Sequence, residues 1–255
     1  MLSEESLELI VQDNLADLEW VSGHGPDFAP GSGERDTWND IVLRGRLRNA
    51  VRNLNPGVPE EYLDQAIGEV ITPKSQSAIA ENRRIHQILV EGYRGIEYID
   101  HEGNVQNPTI YFLSSQPHKN DYLSLNQVTV ANLDGERRFD VVCYVNGMPL
   151  AFIELKKTGA NTSVEGAYNQ LQTYVKEFGM AFRFANIVIP SDDLSAKYGT
   201  PFTPWNHFAP WNVNEDGSPV DPNNMVVAGE PVTQLDLLLD GLFNVERFGQ
   251  LYSCL

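Results

Sequence analysis

The 255-residue sequence is short of positive charge, of cysteine and of long apolar runs, and each shortage removes a class of function. Lys and Arg number 18 against 35 Asp and Glu, for a formal net charge of −17. Phosphate affinity rests on clustered cations, so a whole-molecule grip on nucleic acid is excluded, and any such contact has to be local or helped by a partner. Only two cysteines occur, Cys143 in an apolar run and Cys254 near the end, which fits reduced thiols better than a disulfide framework. No apolar run approaches the roughly 18–20 residues of a membrane span, and the start, MLSEESLELI, is acidic where a secretory signal would be basic. The expected setting is the cytoplasm, without membrane contact. The five histidines, at 24, 86, 101, 118 and 207, have no metal-ligand spacing, so a zinc site is not expected. G-x-x-x-x-G-K-[ST], G-x-G-x-x-G and G-x-S-x-G motifs are all missing. What remains is ordinary globular material, 42% hydrophobic and 21% charged, which excludes a disordered chain.

Its order along the chain is informative. Leu7, Ile10, Val11, Leu15 and Leu18 form one helical stripe within residues 2–20, with Ser3 or Ser6 as N-cap. Residues 21–36, VSGHGPDFAPGSGERD, read as a loop. A second helix is expected over about 37–53, carrying Arg44, Arg46, Arg48 and Arg52. With Arg35 these set five positive charges against Asp36 and Asp40, the best basic patch in the chain. Further helices are expected over 60–71 and 77–91, then strands over 95–100, 109–113 and 123–131. Residues 137–157 form the strongest hairpin signal, two apolar runs around Asn146-Gly147. Thr162 and Glu165 fit a capping box for a helix that runs to Phe178, with Gly179 as its stop, and 182–189 reads as a buried strand. Residues 190–231 hold seven of the 15 prolines and read as an irregular arm whose Trp205, Phe208 and Trp211 need a surface to pack on. A last helix is expected over 233–251, opened by a Thr233/Asp236 capping box. Helices, antiparallel strands, a helix and a strand in this order indicate an α/β fold with a sheet flanked by helices. Residues 1–190 read as one domain and 191–255 as an arm and terminal helix. The stop at Leu255, just past that helix, suggests a piece of something longer.

The chemistry concentrates on the hairpin. Glu154 and Lys156 are two apart and share one face of an extended strand. Whether Asp140 joins them depends on register. A two-residue Asn146-Gly147 loop sends Asp140 and Glu154 to opposite faces, whereas a three-residue loop or a bulge brings them together. Together, the two carboxylates and the lysine make an oxygen-rich site suited to Mg²⁺ and to phosphodiester hydrolysis. The competing reading is a solvated cross-strand ion pair.

FDVVCYVNGMPLAFIELKK followed by EGAYNQLQTY resembles the nuclease core at the N-terminus of the restriction (motor) subunit of type I restriction-modification enzymes, a branch of the PD-(D/E)xK nucleases. The resemblance runs from the first helix through KYGTPFTPWNHFAPW. It implies a site of Asp140, Glu154, Lys156, Gln170 and Tyr174, completed by a first-helix glutamate at Glu8, with Glu5 as the weaker candidate. It further implies a PD-(D/E)xK α/β core, Mg²⁺ held by Asp140 and Glu154, double-stranded DNA as substrate, and methyltransferase and specificity subunits as partners. ATP would be used only by a motor domain whose phosphate loop this sequence lacks. The alternative is a nuclease-like docking module that holds the motor to its partners. The acidic balance favours docking, and the intact Asp, Glu and Lys set favours the nuclease.

Overall fold

Ser3 accepts a hydrogen bond from Ser6 N and so opens helix α1 (Glu4–Asp17), whose Leu7, Val11 and Leu15 are buried. The computed structural model describes residues 3–133, 135–157, 163–192, 194–214, 217–220, 225–227 and 230–252. Helices α2 (Arg44–Leu54), α3 (Glu60–Ile71) and α4 (Ala78–Glu91) follow, the last capped by Ser77.

The central element is a five-stranded mixed sheet in the order β1 (Val21–His24), β4 (Tyr122–Asn132), β5 (Gly135–Val145), β6 (Met148–Leu155) and β7 (Ile187–Ser191). The outer pairs are parallel and the inner pairs antiparallel. Two small antiparallel pairs stand apart, β2 (Tyr98–Ile99) with β3 (Val105–Gln106) and β8 (Val226–Val227) with β9 (Glu230–Pro231). Apolar side chains fill both faces of the sheet. One core contains residues from α1 to α4 and from two terminal helices, α6 (Gln234–Phe243) and α7 (Val245–Gln250). The other contains Leu171 and Tyr174 of α5 (Val164–Glu177), with Phe178, Phe182 and Phe208. The expected α/β architecture, a mixed sheet flanked by helices, is therefore present. Trp20 anchors the terminal helices by donating to Phe243 O at 2.8 Å and packing against Phe243 and Phe248.

Several elements differ from expectation. The 21–36 loop contains β1, a parallel edge strand that side chains secure: Gln12 Nε2 donates to Gly23 O and Ser124 O. The second helix starts at Arg44 instead of 37, because the carbonyls of Trp38 and Asp40 accept from the buried Arg35 guanidinium and Leu43 N donates to Gly147 O. Of the strands over 95–100 and 109–113, only Tyr98–Ile99 forms, and Ile110 makes one bridge to Tyr93. Gly179 is no left-handed stop; it opens a 3₁₀ turn over Gly179–Phe184, so the following strand covers only Ile187–Ser191. The final helix breaks at Asn244, whose side chain accepts from Glu246 N and Arg247 N to cap α7. Thr233 and Asp236 do form their capping box. Thr162 lies outside the described residues, and Ser163 caps α5 by accepting from Gly166 N. The arm packs as its aromatics require, with Tyr168 of α5 against Trp205 and Phe208.

Candidate active site

The hairpin turn has two residues, Asn146 and Gly147, both left-handed at φ 52° and 77°. It is buried and fully bonded: Asn146 donates from Nδ2 to Phe112 O and accepts at Oδ1 from Asp121 N. A two-residue turn alone would separate Asp140 from Glu154. The register, however, runs Val145↔Met148 and Tyr144↔Pro149, then slips to Cys143↔Ala151 and continues to Val141↔Ile153. Leu150 is the extra residue of this bulge. Its neighbour Pro149 has no amide hydrogen to give to the ladder, and the Leu150 carbonyl turns away to accept from Asn186 N at 2.9 Å. Past the bulge the register sets Asp140 across from Glu154, so the bulge does what a three-residue turn would otherwise have to do.

Asp140 Oδ2 accepts from Leu155 N at 2.8 Å, which fixes the carboxylate at the end of β6. Glu154 is 1% exposed and accepts from Lys156 Nζ at 3.1 Å. Lys156 also faces Glu4 Oε1 at 3.8 Å. Burial, with the charge of Asp140 next in weight, raises the Glu154 carboxyl to about pKa 8. Burial raises Asp140 as well, against the hydrogen bond from Leu155 N and the charge of Lys156. Two carboxylates that both resist ionising in each other's presence form a site short of positive charge. Their donors are all oxygen, which fits a hard divalent cation held through one or two carboxylates. Among the described residues no group of three or more His, Cys, Asp or Glu could hold an ion by itself.

Gln170 and Tyr174 approach from α5. The Gln170 amide donates to the Tyr174 hydroxyl, and burial together with the nearby Glu154 charge raises that hydroxyl to about 12. Glu8 approaches from α1, buried, accepting from Asn126 Nδ2 at 3.3 Å, and its pKa is raised chiefly by burial, with the charge of Asp140 adding to it. Glu5 has no such contact, whereas Glu4, which sequence reasoning passed over, acts on both Asp140 and Glu154. Spacing could have found it, since Glu4 and Glu8 are four apart on one helix. Sequence reasoning also missed Asn126 and Gln127, which carry no motif.

The expected basic patch does not exist as a free surface. Arg46 binds Asp121 with both carboxylate oxygens at 2.7–2.8 Å, Arg48 binds Asp64, Arg52 binds Glu60, and Arg44 binds Asp36 and Asp40. Arg35 is 3% exposed and serves the carbonyls of Trp38, Asp40 and Thr129. A cleft of about 460 Å³ lined by Asp40, Arg44, Glu177 and Arg183 contains none of the hairpin carboxylates.

The fold and these side chains define an α/β protein with a buried carboxylate pair and a lysine at the end of a central hairpin. The chain belongs to the family described as Type I restriction enzyme R protein N terminus (HSDR_N), which matches residues 1–207. It is 28% identical over 245 residues to a Methanocaldococcus jannaschii protein named as the type I restriction enzyme MjaIXP endonuclease subunit, covering 91% of this chain and 23% of that one. It is likewise 28% identical over 252 residues to the HindI endonuclease subunit of Haemophilus influenzae, covering 96% and 23%. A third relative, the EcoprrI endonuclease subunit of Escherichia coli, is 29% identical over 169 residues, 63% of this chain and half of that protein. The chain thus spans about a quarter of the length of the first two relatives. Among the described residues no helix is long and apolar enough to cross a membrane.

Proposed function

We propose that this chain is the endonuclease part of a type I restriction enzyme R subunit, with a PD-(D/E)xK core. It hydrolyses phosphodiester bonds of foreign, unmodified double-stranded DNA with Mg²⁺. It does so in the cytoplasm, once assembled with a motor and with methyltransferase and specificity subunits. Residues 1–190 form the nuclease part, and 191–255 lead toward the motor, where ATP is used. The observation that carries this reading is the bulge at Leu150, which spends a strand residue to bring Asp140 and Glu154 together beside Lys156.

In this mechanism Asp140 and Glu154 would hold the cation, which when bound would polarise a phosphoryl oxygen and make water a better nucleophile. Lys156 Nζ, already tied to Glu154, orients the attacking water and offsets charge that develops on the phosphorus. The carboxylate of Asp140 stays in place through the reaction because Leu155 N anchors it. Gln170 and Tyr174, linked to each other, present a rigid polar edge to the DNA strand. Glu8 and Glu4 add negative potential that favours a cation over a bare pair of acids.

The test is Asp140→Ala and Glu154→Ala in the assembled enzyme. Each abolishes cleavage of unmodified DNA while folding, subunit assembly and ATP hydrolysis persist. Cleavage at the wild-type rate by either variant refutes the reading. The engagement of all five patch arginines favours the second reading, a nuclease-like docking module, and that same outcome would support it.

A further inference from the structure

Lys156 stands between two carboxylates. Its Nζ donates to Glu154 Oε1 at 3.1 Å and to Leu155 O at 3.3 Å, and Glu4 Oε1 lies at 3.8 Å, within ion-pair reach. The two acids differ in setting. Glu154 is buried at the end of β6, whereas Glu4 is exposed in the first turn of α1. Ser3 fixes that turn by accepting from Ser6 N at 3.1 Å, and a helix N-terminus favours an anion. Among the described residues Lys156 is the only cation paired with Glu4.

The bond from Lys156 to Glu154 suits the site only while no cation is there. Beside a divalent ion on the same carboxylate an ammonium is repelled, so Lys156 gives up Glu154 Oε1 once that oxygen turns to the ion. Asp140 is no substitute, because its Oδ2 already accepts from Leu155 N and it would hold the same ion. Glu4 is the one other carboxylate within ion-pair reach of Lys156 among the described residues. An ammonium has three donors. With one on Glu4 and one on Leu155 O, the third is free for the attacking water.

We infer that Glu4 is a positioning residue: it takes over Lys156 when Glu154 turns to a divalent cation, and so keeps the ammonium at the site instead of in solvent. This deepens the nuclease reading and rests on it. Glu4 then strengthens cation binding mainly through Lys156, and a partly exposed ion pair of this kind contributes about two- to fivefold to an equilibrium.

The test is calorimetric titration with Mn²⁺ of wild type, Glu4→Gln, Lys156→Met, the double variant, Glu5→Gln and Glu154→Ala. Glu4→Gln is expected to bind Mn²⁺ about two- to fivefold more weakly than wild type. Lys156→Met binds at least as tightly as wild type, because no ammonium competes for Glu154. Adding Glu4→Gln to Lys156→Met changes little, since the effect of one residue through another disappears when the second is gone. Glu5→Gln removes a neighbouring charge from the same helical turn and leaves the affinity as it was. An equal loss from Glu4→Gln with and without Lys156 overturns the inference, because Glu4 would then act on the cation directly. Wild-type affinity in Glu4→Gln, or the same weakening in Glu5→Gln, overturns it too. Each of these results leaves the nuclease reading standing if Glu154→Ala has lost binding. Identical titrations of wild type and Glu154→Ala, including no binding by either, overturn both.

Discussion

Replacing Glu154 by glutamine should make the protein more stable at alkaline pH and leave it nearly unchanged in acid. The Glu154 carboxyl has a folded-state pKa of about 8 against an ordinary value of 4.5, chiefly through burial and then through the charge of Asp140. Because the folded value is the higher one, the folded protein keeps a proton that the unfolded chain releases. The resulting penalty is absent below about pH 4.5, grows from there to about 8, and is complete above it. At about 1.4 kcal/mol per pKa unit, the full shift bounds the penalty at roughly 5 kcal/mol. Glutamine keeps the shape and removes the charge, but it also takes from Lys156 its carboxylate partner at 3.1 Å and leaves Leu155 O at 3.3 Å and Glu4 at 3.8 Å, which returns part of the gain. A net stabilisation of about 2–4 kcal/mol at pH 9 is expected, which for a chain of this size is about 4–16 °C in melting temperature.

The assay is thermal denaturation of wild type and Glu154→Gln from pH 5 to pH 9 without divalent cations. The difference in melting temperature should open progressively between pH 5 and pH 8. Adding Mg²⁺ should narrow it at the alkaline end by raising the wild type, since the cation neutralises the same buried charge. A pH-independent difference, or a Glu154→Gln protein that is less stable than wild type at pH 9, would refute the electrostatic picture of the site.

Other perturbations probe how the site is built. Deleting Leu150 removes the bulge and returns the hairpin to the plain two-residue register, so Asp140 and Glu154 part; cleavage by the assembled enzyme should vanish, and activity retained in that deletion would refute the role of the bulge. Gly147→Ala should cost about 3 kcal/mol or more in denaturant unfolding, because φ is 77° and the new Cβ would stand 2.4 Å from Leu43 O and 2.7 Å from Leu47 N; a loss under about 1 kcal/mol would show that the turn yields easily. The chain alone should bind duplex DNA with a dissociation constant weaker than about 10 μM at physiological salt, measured by fluorescence anisotropy, because its −17 charge is not relieved by the arginines of α2; tight or site-specific binding by the chain alone would overturn this.

The helices were the most legible part of the sequence, because apolar periodicity and end signals agree there. The 60–71 helix matches in full, and Ser3, Ser77 and Thr233 cap the helices they precede. The hairpin was legible too, since Asn-Gly between apolar runs has few other solutions. What could not be read depends on distant contacts. The β1 strand is four residues in a Gly- and Pro-rich stretch and exists only because β4 and Gln12 receive it. The arginine patch looked free because its acids, Asp64 and Asp121, lie in other parts of the chain. The bulge was open as one of two registers, and nothing local marks Leu150 as the extra residue except the proline before it.

The irregular features of the sheet gather where the carboxylates are. The Leu150 bulge, the left-handed Gln127 and the change of faces at Asp140 all fall on β4, β5 and β6 around one point. Each has a local cost, in a lost ladder bond or a strained dihedral, and the buried Glu154 and Asp140 add an electrostatic one. A sheet selected only for stability would pair Asp140 with Ile153 and put a glycine at position 127. The surrounding structure is what sustains the departure: apolar cores on both faces, the Asn146 turn with its backbone partners, and α1 and α5 closing from opposite faces. Strain held by an otherwise well-packed core and confined to the residues around two buried acids is the pattern of a site kept for chemistry. A docking surface would have no need to hold two carboxylates where both resist ionising.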